Sequence, residues 1–270
     1  MKILLLMGLL FGHLYAQDTL GTFHFKGYKT KVEWANKSNR LACQVNVEEQ
    51  TVIHFMEPGR STIVKAIPIP KELRVTTFTW TQDDKGLILA TWDPEELQRG
   101  IYYLNISRGV ITDTLPELGA YYQVNEIEGY EQWLAVASSG EGHPDVNVYS
   151  SDYEELFNTD VYPGNIALTG WCKGKLFVAS DVHLEWGLTR DDRLKTMKKM
   201  GMSEEQMADY TSYVTEDWRV YAIDPETGKA KEANFPAGCG VYSFDGRFSY
   251  ISSMDDEGLP EFDVTLVSKN

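Results

Sequence analysis

The residues best suited to chemistry form a short pattern of acids and histidines in the second half of the chain. Asp181, His183 and Glu185 lie two residues apart, so their side chains point the same way in an extended segment. His143 and Asp145 have the same spacing earlier in the chain. Carboxylates and imidazoles bind divalent metal ions. We therefore treat Asp181, His183 and Glu185 as candidate metal ligands, and a divalent cation is the only cofactor that the sequence suggests.

The sequence lacks the motifs of several enzyme classes. It contains no G-x-S-x-G elbow, no H-E-x-x-H zinc helix, no EF-hand calcium loop and no Gly-rich phosphate loop. A glycosidase needs two carboxylates that flank one bond. On the predicted first strands described below, only Glu33 and, with a register shift of one residue, Glu126 meet that need. Glu33 is equally well explained as a solvated charge at a strand edge.

The elements that must position these residues are strands, because apolar and polar residues alternate with period two. Five segments repeat one form: a strand, a polar turn, a second strand, a loop, a third strand and a turn. The second strands begin at Leu41, Leu87, Trp133, Leu176 and Phe248, a spacing of roughly 45 residues until an insertion precedes the last. The sequence therefore predicts an all-β protein, a β-propeller of about five four-stranded blades.

The first strands of the repeats end in aromatic residues and polar turns. Trp34, Trp80 and Trp171 recur at or near these ends. We interpret them as core residues, and the alternative is a platform on which a sugar stacks. In the third and fourth repeats, the turn after the first strand is predicted at 125–130 and 169–174.

Several of these turns and strands resemble a known repeat. The segments QDDKGL at 82–87 and FDGRF at 244–248 are similar to the Asp-Gly-Lys turn of TolB-type, WD40-like propeller repeats. SSG at 138–140 with DVNVY at 145–149, and AIDPETG at 222–228, resemble later parts of such repeats. The resemblance covers most of the chain beyond residue 16. It implies a fold and no activity.

A propeller must close its ring, because open strand edges expose unpaired backbone groups. The fifth repeat ends near Asn270, just after its third strand, and the segment 21–30 alternates like a strand that no repeat uses. We predict that this N-terminal strand supplies the outer strand of the last blade. A two-sheet sandwich is the alternative architecture.

Residues 189–215 interrupt the strand pattern and predict a helical hairpin inserted in blade four. Thr189 and the acids after it are typical of a helix start, Gly201 of a helix end, and Ser203 begins a capping box. The hairpin either packs onto the propeller or serves as a lid or partner-docking element. Its candidate docking residues are Met197, Met200, Met202 and Met207.

Loops after the second strands lie where one blade connects to the next, and loops on a rigid scaffold commonly carry binding sites. In this chain these loops are acidic and aromatic, although exposure alone would also make them polar. The candidate ligand-binding residues on this loop face are Trp92, Asp93, His143, Asp145, Asp181, His183, Glu185, Trp186, Asp255 and Asp256.

Residues 1–16 have the form of a cleavable signal peptide. Lys2 precedes about nine apolar residues, fewer than the about 20 of a membrane span, and Ala16 is a small residue at the predicted cleavage site. We expect an extracytoplasmic protein, periplasmic or secreted, with a single propeller domain at 17–270 that does not span a membrane. A net charge of −15 disfavours nucleic acid as a partner.

The chain has three cysteines, too few for a disulfide framework. Cys43 lies in an apolar alternating run and is predicted to be a core residue. Cys172 and Cys239 can pair in an oxidising compartment, but the sequence alone leaves open whether they do.

These observations favour a non-enzymatic binding or protein-interaction module that uses its acidic loop face. Its partner would be another envelope or secreted protein, or a glycan. The alternative is a carbohydrate-active hydrolase with a propeller fold. A hydrolase needs two carboxylates that converge in a concave pocket, roughly 5–10 Å apart. Such convergence of Glu33, Glu126 or the acids of 181–185 at the ring axis would argue for the hydrolase and against the binding module.

Overall fold

A computed structural model describes residues 18–92, 99–114, 124–140, 143–159, 166–181, 198–199, 201, 203, 218–236, 239, 242–254 and 261–268. Strands dominate these residues, as the period-two pattern predicts. The strands are β1 (Thr19–Lys26), β2 (Tyr28–Trp34), β3 (Leu41–Val47), β4 (Gln50–Met56), β5 (Lys65–Pro68), β6 (Arg74–Trp80), β7 (Gly86–Trp92), β8 (Arg99–Asn105), β9 (Val110–Thr114), β10 (Val124–Tyr130), β11 (Trp133–Gly140), β12 (His143–Tyr149), β13 (Glu155–Asn158), β14 (Ile166–Cys172), β15 (Lys175–Ser180), β16 (Arg219–Ile223), β17 (Ala230–Glu232), β18 (Phe248–Met254) and β19 (Glu261–Ser268).

The described strands form five antiparallel sheets. Four of them are simple meanders, with the orders β2-β3-β4-β5, β6-β7-β8-β9, β10-β11-β12-β13 and β14-β15-β16-β17. The fifth has the order β1-β19-β18, and a bridge between Tyr242 and Ser249 adds the start of an inner strand. The first strands contact each other in sequence, β2 with β6, β6 with β10 and β10 with β14. They therefore line the axis of a β-propeller, and we number the blades one to five in this order.

The N-terminal strand closes the ring, as the sequence predicts. β1 pairs antiparallel with β19, with Phe23 opposite Val264 and Phe25 opposite Phe262. The rings of Phe25 and Phe262 stack with centroids 5.1 Å apart. The closing strand covers Thr19–Lys26, while the rest of the predicted segment belongs to β2 of blade one. Two ends of the chain thus share one sheet, which removes the open edge that a partial blade would leave.

The inner strand of each of the first four blades contains a β-bulge at a corresponding place. The register shifts lie between Lys29 and Lys31, Val75 and Thr77, Val124 and Glu126, and Leu168 and Gly170. A bulge adds one residue and therefore breaks the alternation that marks a strand in sequence. For this reason the predicted turn at 125–130 is wrong, since β10 runs to Tyr130, and the predicted turn at 169–174 is wrong over most of its length, since β14 runs to Cys172.

Recurrent tryptophans join neighbouring blades. Trp34, Trp80 and Trp171 are 6%, 1% and 7% exposed, which confirms that they are core residues. Trp80 Nε1 donates to the carbonyl oxygen of Glu33 at 3.1 Å, and Trp171 Nε1 donates to that of Glu128 at 3.0 Å. In both cases the indole lies in one blade and the carbonyl in the preceding blade. A buried indole needs such an acceptor, so each bond fixes one blade against the next.

The described part of the chain contains no helical element, so the predicted hairpin is not supported by it. Of residues 189–215, only Lys198, Lys199, Gly201 and Ser203 are described, and the candidate docking residues Met197, Met200, Met202 and Met207 lie outside the described residues. Within the described ranges, no helix combines the length and apolar character needed to cross a bilayer.

The cysteines resolve the question that the sequence leaves open. Cys172, at the end of β14, forms a disulfide with Cys239, with a Cα–Cα distance of 5.6 Å and a sequence separation of 67. Cys43 is buried and free, as expected of a core residue. The disulfide therefore links the inner strand of blade four to the segment that leads into blade five.

Candidate axial binding site

The structure describes only part of the predicted loop face. Asp145 accepts a hydrogen bond from Ser138 Oγ, and Asp181 is buried directly after β15. Trp92 ends β7 and His143 begins β12, while the positions of their side chains are not described. The remaining predicted residues, Asp93, His183, Glu185, Trp186, Asp255 and Asp256, lie outside the described residues. The loop site and its metal ligands therefore stay predictions; among the residues with described positions, no group of three His, Cys, Asp or Glu side chains is arranged to hold a metal ion.

Four charged side chains from two inner strands meet at the axis of the ring. Lys31 and Glu33 lie on β2 of blade one, and Glu126 and Glu128 lie on β10 of blade three. Lys31 Nζ lies 2.8 Å from Glu126 Oε1, 2.8 Å from Glu128 Oε1 and 3.3 Å from Glu33 Oε2. It also donates to the carbonyl oxygen of Ile127 at 2.8 Å. We call Lys31, Glu33, Glu126 and Glu128 the axial cluster.

Strand geometry explains why these side chains converge. Residues two apart on a strand point to the same side, and this spacing separates Lys31 from Glu33 and Glu126 from Glu128. The bulge after Val124 brings Glu126 and Glu128 into this register. Blade two lies between the two strands, so the Lys31 ammonium reaches across the axis from blade one to blade three.

Threonines of blade two complete the cluster. Thr79 Oγ1 donates to Glu33 Oε1 at 2.7 Å and accepts a hydrogen bond from the Gly129 backbone N–H at 2.8 Å. Thr77 Oγ1 donates to Glu126 Oε1 at 3.2 Å. A side chain at Gly129 would not fit, because its Cβ would lie 2.9 Å from the Trp80 carbonyl oxygen. Hydrogen bonds thus connect three successive blades around one ammonium group.

Burial and charge determine the protonation states in the cluster. Burial raises the pKa of Glu33 to about 8, against the opposing effects of the Lys31 ammonium and the hydrogen bond from Thr79. Burial lowers the pKa of Lys31, but attraction to Glu128, Glu33 and Glu126 outweighs it, so the pKa of Lys31 lies above its ordinary value. Lys31 therefore stays charged, while Glu33 titrates close to neutral pH.

A cavity of about 930 Å³ lies beside the cluster. Its charged floor contains Lys31, Glu33 and Glu128. Its walls are largely aromatic and include Trp34, Tyr130, Trp171, Phe235, Tyr242 and Phe244. The lining residues of blades one, three, four and five lie where a first strand turns into a second. The cavity is therefore at the opposite end of the strands from the predicted loop face.

Residues at the start of blade five form one wall of the cavity. In the described residues, its inner strand amounts to the single bridge at Tyr242, whereas the other blades have inner strands of seven residues. The wall here is formed by Phe235, Cys239 and Phe244. Phe235 packs edge-on against Phe177 of β15 with centroids 5.2 Å apart. The disulfide to Cys172 holds this irregular segment against blade four.

The arrangement partly meets the geometric criterion for a hydrolase. Three carboxylates do converge at the axis and beside a concave cavity, and Glu33 is buried, so it is not a solvated edge charge. However, Lys31 Nζ lies between them, within 3.3 Å of an oxygen of each. A bond to be cleaved would need that space.

The sequence indicated only half of the axial cluster. Glu33 and Glu126 are candidates from the sequence, the latter by a register shift of one residue, whereas Lys31 and Glu128 are not. Their signal was the pair of segments Lys-Val-Glu at 31–33 and Glu-Ile-Glu at 126–128, with the same two-residue spacing in two different repeats.

Comparisons with known proteins bear on the fold. No protein-family profile matches the chain, and no curated protein matches its sequence. Among solved structures, the chain is similar to the β-propeller domain of the Trilobed protease from Pyrococcus furiosus, with 10% identity and a TM-score of 0.45 over 92% of this chain and 72% of that one. It is similar to a putative TolB from Agrobacterium tumefaciens, with 15% identity and a TM-score of 0.45 over 91% of this chain and 77% of that one.

A third similar structure is an acylaminoacyl peptidase, with 10% identity and a TM-score of 0.46. The match covers 87% of this chain but only 36% of the peptidase chain. The propeller assignment itself stands on the sheet order and on the inner-strand contacts described above.

Proposed function

We propose that this chain is a non-enzymatic binding protein that works outside the cytoplasm and takes its ligand in the axial cavity. One observation carries the proposal: an ammonium group fills the space between the three axial carboxylates, directly beside a cavity of about 930 Å³ with aromatic walls. The ammonium group between the carboxylates argues against hydrolysis. The aromatic cavity beside it argues for binding.

The carboxylates are engaged in holding the fold. Glycoside hydrolysis needs one acid that protonates the leaving oxygen and a second carboxylate on the other side of the bond. Here Glu126 and Glu128 each bind Lys31 Nζ at 2.8 Å, and Glu33 Oε1 accepts hydrogen bonds from Thr79 and Trp80. The ammonium thus occupies the place between the carboxylates that a bond to be cleaved would take.

The cavity has the properties of a ligand site. Its volume of about 930 Å³ lies within the range of roughly 300–1,000 Å³ of small-molecule sites. Such sites combine apolar and aromatic walls with a few fixed polar groups. Phe244 is 63% exposed at this site, so its ring is accessible to a ligand.

The disulfide supports a location outside the cytoplasm. Disulfides persist in oxidising compartments and are rare in the cytosol, and Cys172 and Cys239 form one. The signal-peptide pattern of residues 1–16 points the same way, and those residues lie outside the described part of the chain. Expression of the full chain in a bacterial host tests this: the protein should appear in the periplasm or medium with its mass reduced by residues 1–16.

A cavity-filling variant tests the site. Thr169 lines the cavity and is exposed on β14, so Thr169→Trp should fill the cavity without disturbing the core. Ala167→Trp is the matched control, since Ala167 is exposed on the same strand and does not line the cavity. Small compounds that bind the purified protein in saturation-transfer NMR should lose their signal with Thr169→Trp and keep it with Ala167→Trp.

A hydrolase test runs in parallel on the same protein. We expect no release of nitrophenol from a panel of nitrophenyl glycosides. Turnover that disappears in Glu128→Gln and persists in Ala167→Trp would contradict the proposal and favour the hydrolase. Binding that is unaffected by Thr169→Trp would also contradict it, because the ligand would then lie elsewhere.

A further inference from the structure

We infer that the ligand of the axial cavity is an organic cation, an ammonium group with apolar substituents that sits among the aromatic walls above the carboxylate floor. This inference rests on the proposed function and adds the chemical class of the ligand. It follows from two independent properties of the cavity, its charge and its rings.

The charges that line the cavity favour a cation. Three acids, Glu33, Glu128 and Glu131, face two lysines, Lys31 and Lys37, so the lining carries an excess of one negative charge once Glu33 is ionised above its pKa of about 8. Lys31 is buried and its ammonium is already held by three carboxylates and a carbonyl oxygen, so it has no donor left for an anionic ligand. Lys37 is exposed at the mouth.

The acids, in contrast, keep some capacity to accept. Among the described residues, Lys31 binds only Oε1 of Glu128, so the other oxygen of this cavity-lining acid can accept from a ligand. With Glu126 behind Lys31, the axial cluster has two acids besides Glu33 and only one base, so it keeps an excess of negative charge even while Glu33 is protonated. A bound cation would balance this excess, whereas a neutral sugar would leave it unbalanced in a place that is partly shielded from water.

The aromatic walls favour the same class. The face of an aromatic ring attracts a cation within about 6 Å of its centroid. Phe244 is exposed, and Phe235 and Tyr242 are half-buried, so parts of these three rings are open to a ligand. Cages of aromatic rings with a nearby carboxylate bind ammonium groups that carry methyl or methylene substituents, because the substituents pack while the charge meets the rings.

The protonation state of Glu33 adds a dependence on pH. The charged and titratable groups around it are Lys31 on the same strand, Glu126, Glu128 and Tyr130 on β10, Tyr250 on β18, and Lys37, Glu131 and Tyr242 at the cavity. Because burial raises the pKa of Glu33 to about 8, this acid gains its negative charge between about pH 7 and pH 9. Affinity for a cation should therefore rise over that interval.

The test compares two probes of equal shape. Choline carries a quaternary ammonium, and 3,3-dimethylbutan-1-ol replaces that nitrogen with carbon and is neutral. We expect choline to bind at least about tenfold more tightly by isothermal titration or competition NMR, which corresponds to about 1.4 kcal/mol. The expected order follows from charge alone, since the two probes have the same volume and hydroxyl group.

Variants then locate the effect. Glu131→Gln at the exposed mouth and Phe244→Ala at the open ring should each weaken choline binding about 3- to 10-fold, the range of a single cation–π or partly screened charge contact. Glu128→Gln should weaken it further, and thermal unfolding shows whether that variant remains folded. Glu261→Gln is the control for charge, since this acid is half-exposed beside Lys26 and far from the cavity lining.

The outcomes separate the two levels of the proposal. Equal binding of both probes, or binding of neutral compounds alone that Thr169→Trp abolishes, would overturn the cation and leave the cavity as the ligand site. Choline binding that Thr169→Trp leaves intact would overturn the cavity itself. Preference for choline that is lost in Thr169→Trp and reduced in Glu131→Gln and Phe244→Ala would support both.

Discussion

The two sides of the ring axis are built in different ways. Around blades one to three, hydrogen bonds and ion pairs connect complete inner strands through Lys31, Thr79 and the axial acids. Between blades four and five, the described inner strand of blade five is a single bridge, and a disulfide with packed aromatic rings holds the chain instead. The first side is filled, and the second side leaves the cavity.

This difference shows how a repeat fold makes room for a ligand. Equivalent inner strands fill the axis when their side chains can meet there, as Lys31 and the acids of β10 do. At blade five, where the described part of the inner strand is one bridge, a disulfide links the chain to blade four. Each side of the axis can therefore be altered by its own substitutions.

Removal of the central ammonium should have the largest effect on stability. Lys31→Met leaves three carboxylates without their shared cation at a site where the Lys31 side chain is 12% exposed. The loss of one partner from a buried ion pair costs about 3–5 kcal/mol, so chemical denaturation should show a decrease of that size. Lys26→Met, whose side chain is 88% exposed, should change the stability by less than about 0.5 kcal/mol.

A rescue experiment sharpens this result. Glu126→Gln and Glu128→Gln, added to Lys31→Met, remove the charges that the lysine neutralised and should restore part of the stability. A Lys31→Met protein as stable as the parent would show that the axial cluster does not form.

Loss of the disulfide should have the next largest effect, on the opposite side of the axis. Replacement of both Cys172 and Cys239 by alanine releases a link that spans 67 residues, and a disulfide stabilises by about 2–4 kcal/mol. A reducing agent should lower the melting temperature of the parent protein and leave that of the double variant unchanged. If reduction leaves the parent unaffected, the irregular segment of blade five is held by its packing alone.

The hydroxyl of Thr79 should contribute less. Thr79→Val keeps the shape but removes the donor to Glu33 and the acceptor for the Gly129 N–H, in a side chain that is fully buried. A buried group without its partner costs about 1–3 kcal/mol. Thr112→Val, at an exposed position on β9, is the matched control and should be neutral within about 0.5 kcal/mol.

The direction in which stability changes with pH should report on Glu33. Its pKa is raised from 4.5 to about 8 in the folded protein, mainly by burial. Between these values the folded state holds a proton that the unfolded state has lost, so this contribution to stability is present at low pH and is lost as pH rises through about 8. The parent should therefore lose more than about 1 kcal/mol relative to Glu33→Gln between pH 5 and pH 9. A constant difference between the two proteins would mean that the pKa of Glu33 is not raised.

Much of the fold could be predicted because strand alternation survives in most elements. The predicted second strands begin at the observed residue in β3, β11 and β18 and one residue late in β7 and β15. Pairing of the N-terminal strand with the last repeat could be predicted for two reasons. The fifth repeat ends after its third strand, and the segment 21–30 alternates like a strand that no repeat uses. The inner strands were harder, since each bulge shifts the alternation by one residue and made part of β10 resemble a turn.

The site was predicted less well, for a related reason. Ion pairs between blades one and three join residues 95 and 97 positions apart, and no local pattern shows which inner strands face each other across the axis. The cavity is lined by residues of four blades that lie far apart in sequence, and no local motif marks such a set. The acidic and aromatic composition of the loops led to a predicted site at the opposite end of the strands. Most of its residues, such as His183 and Glu185, lie outside the described part.

The most direct test of the central claim is a crystal structure of the protein grown with choline. We expect electron density for choline in the axial cavity, beside Glu128 and Phe244, while Lys31 Nζ remains bound to Glu126 and Glu128. A probe bound elsewhere, or a Lys31 side chain turned away so that the carboxylates face an open space, would contradict it.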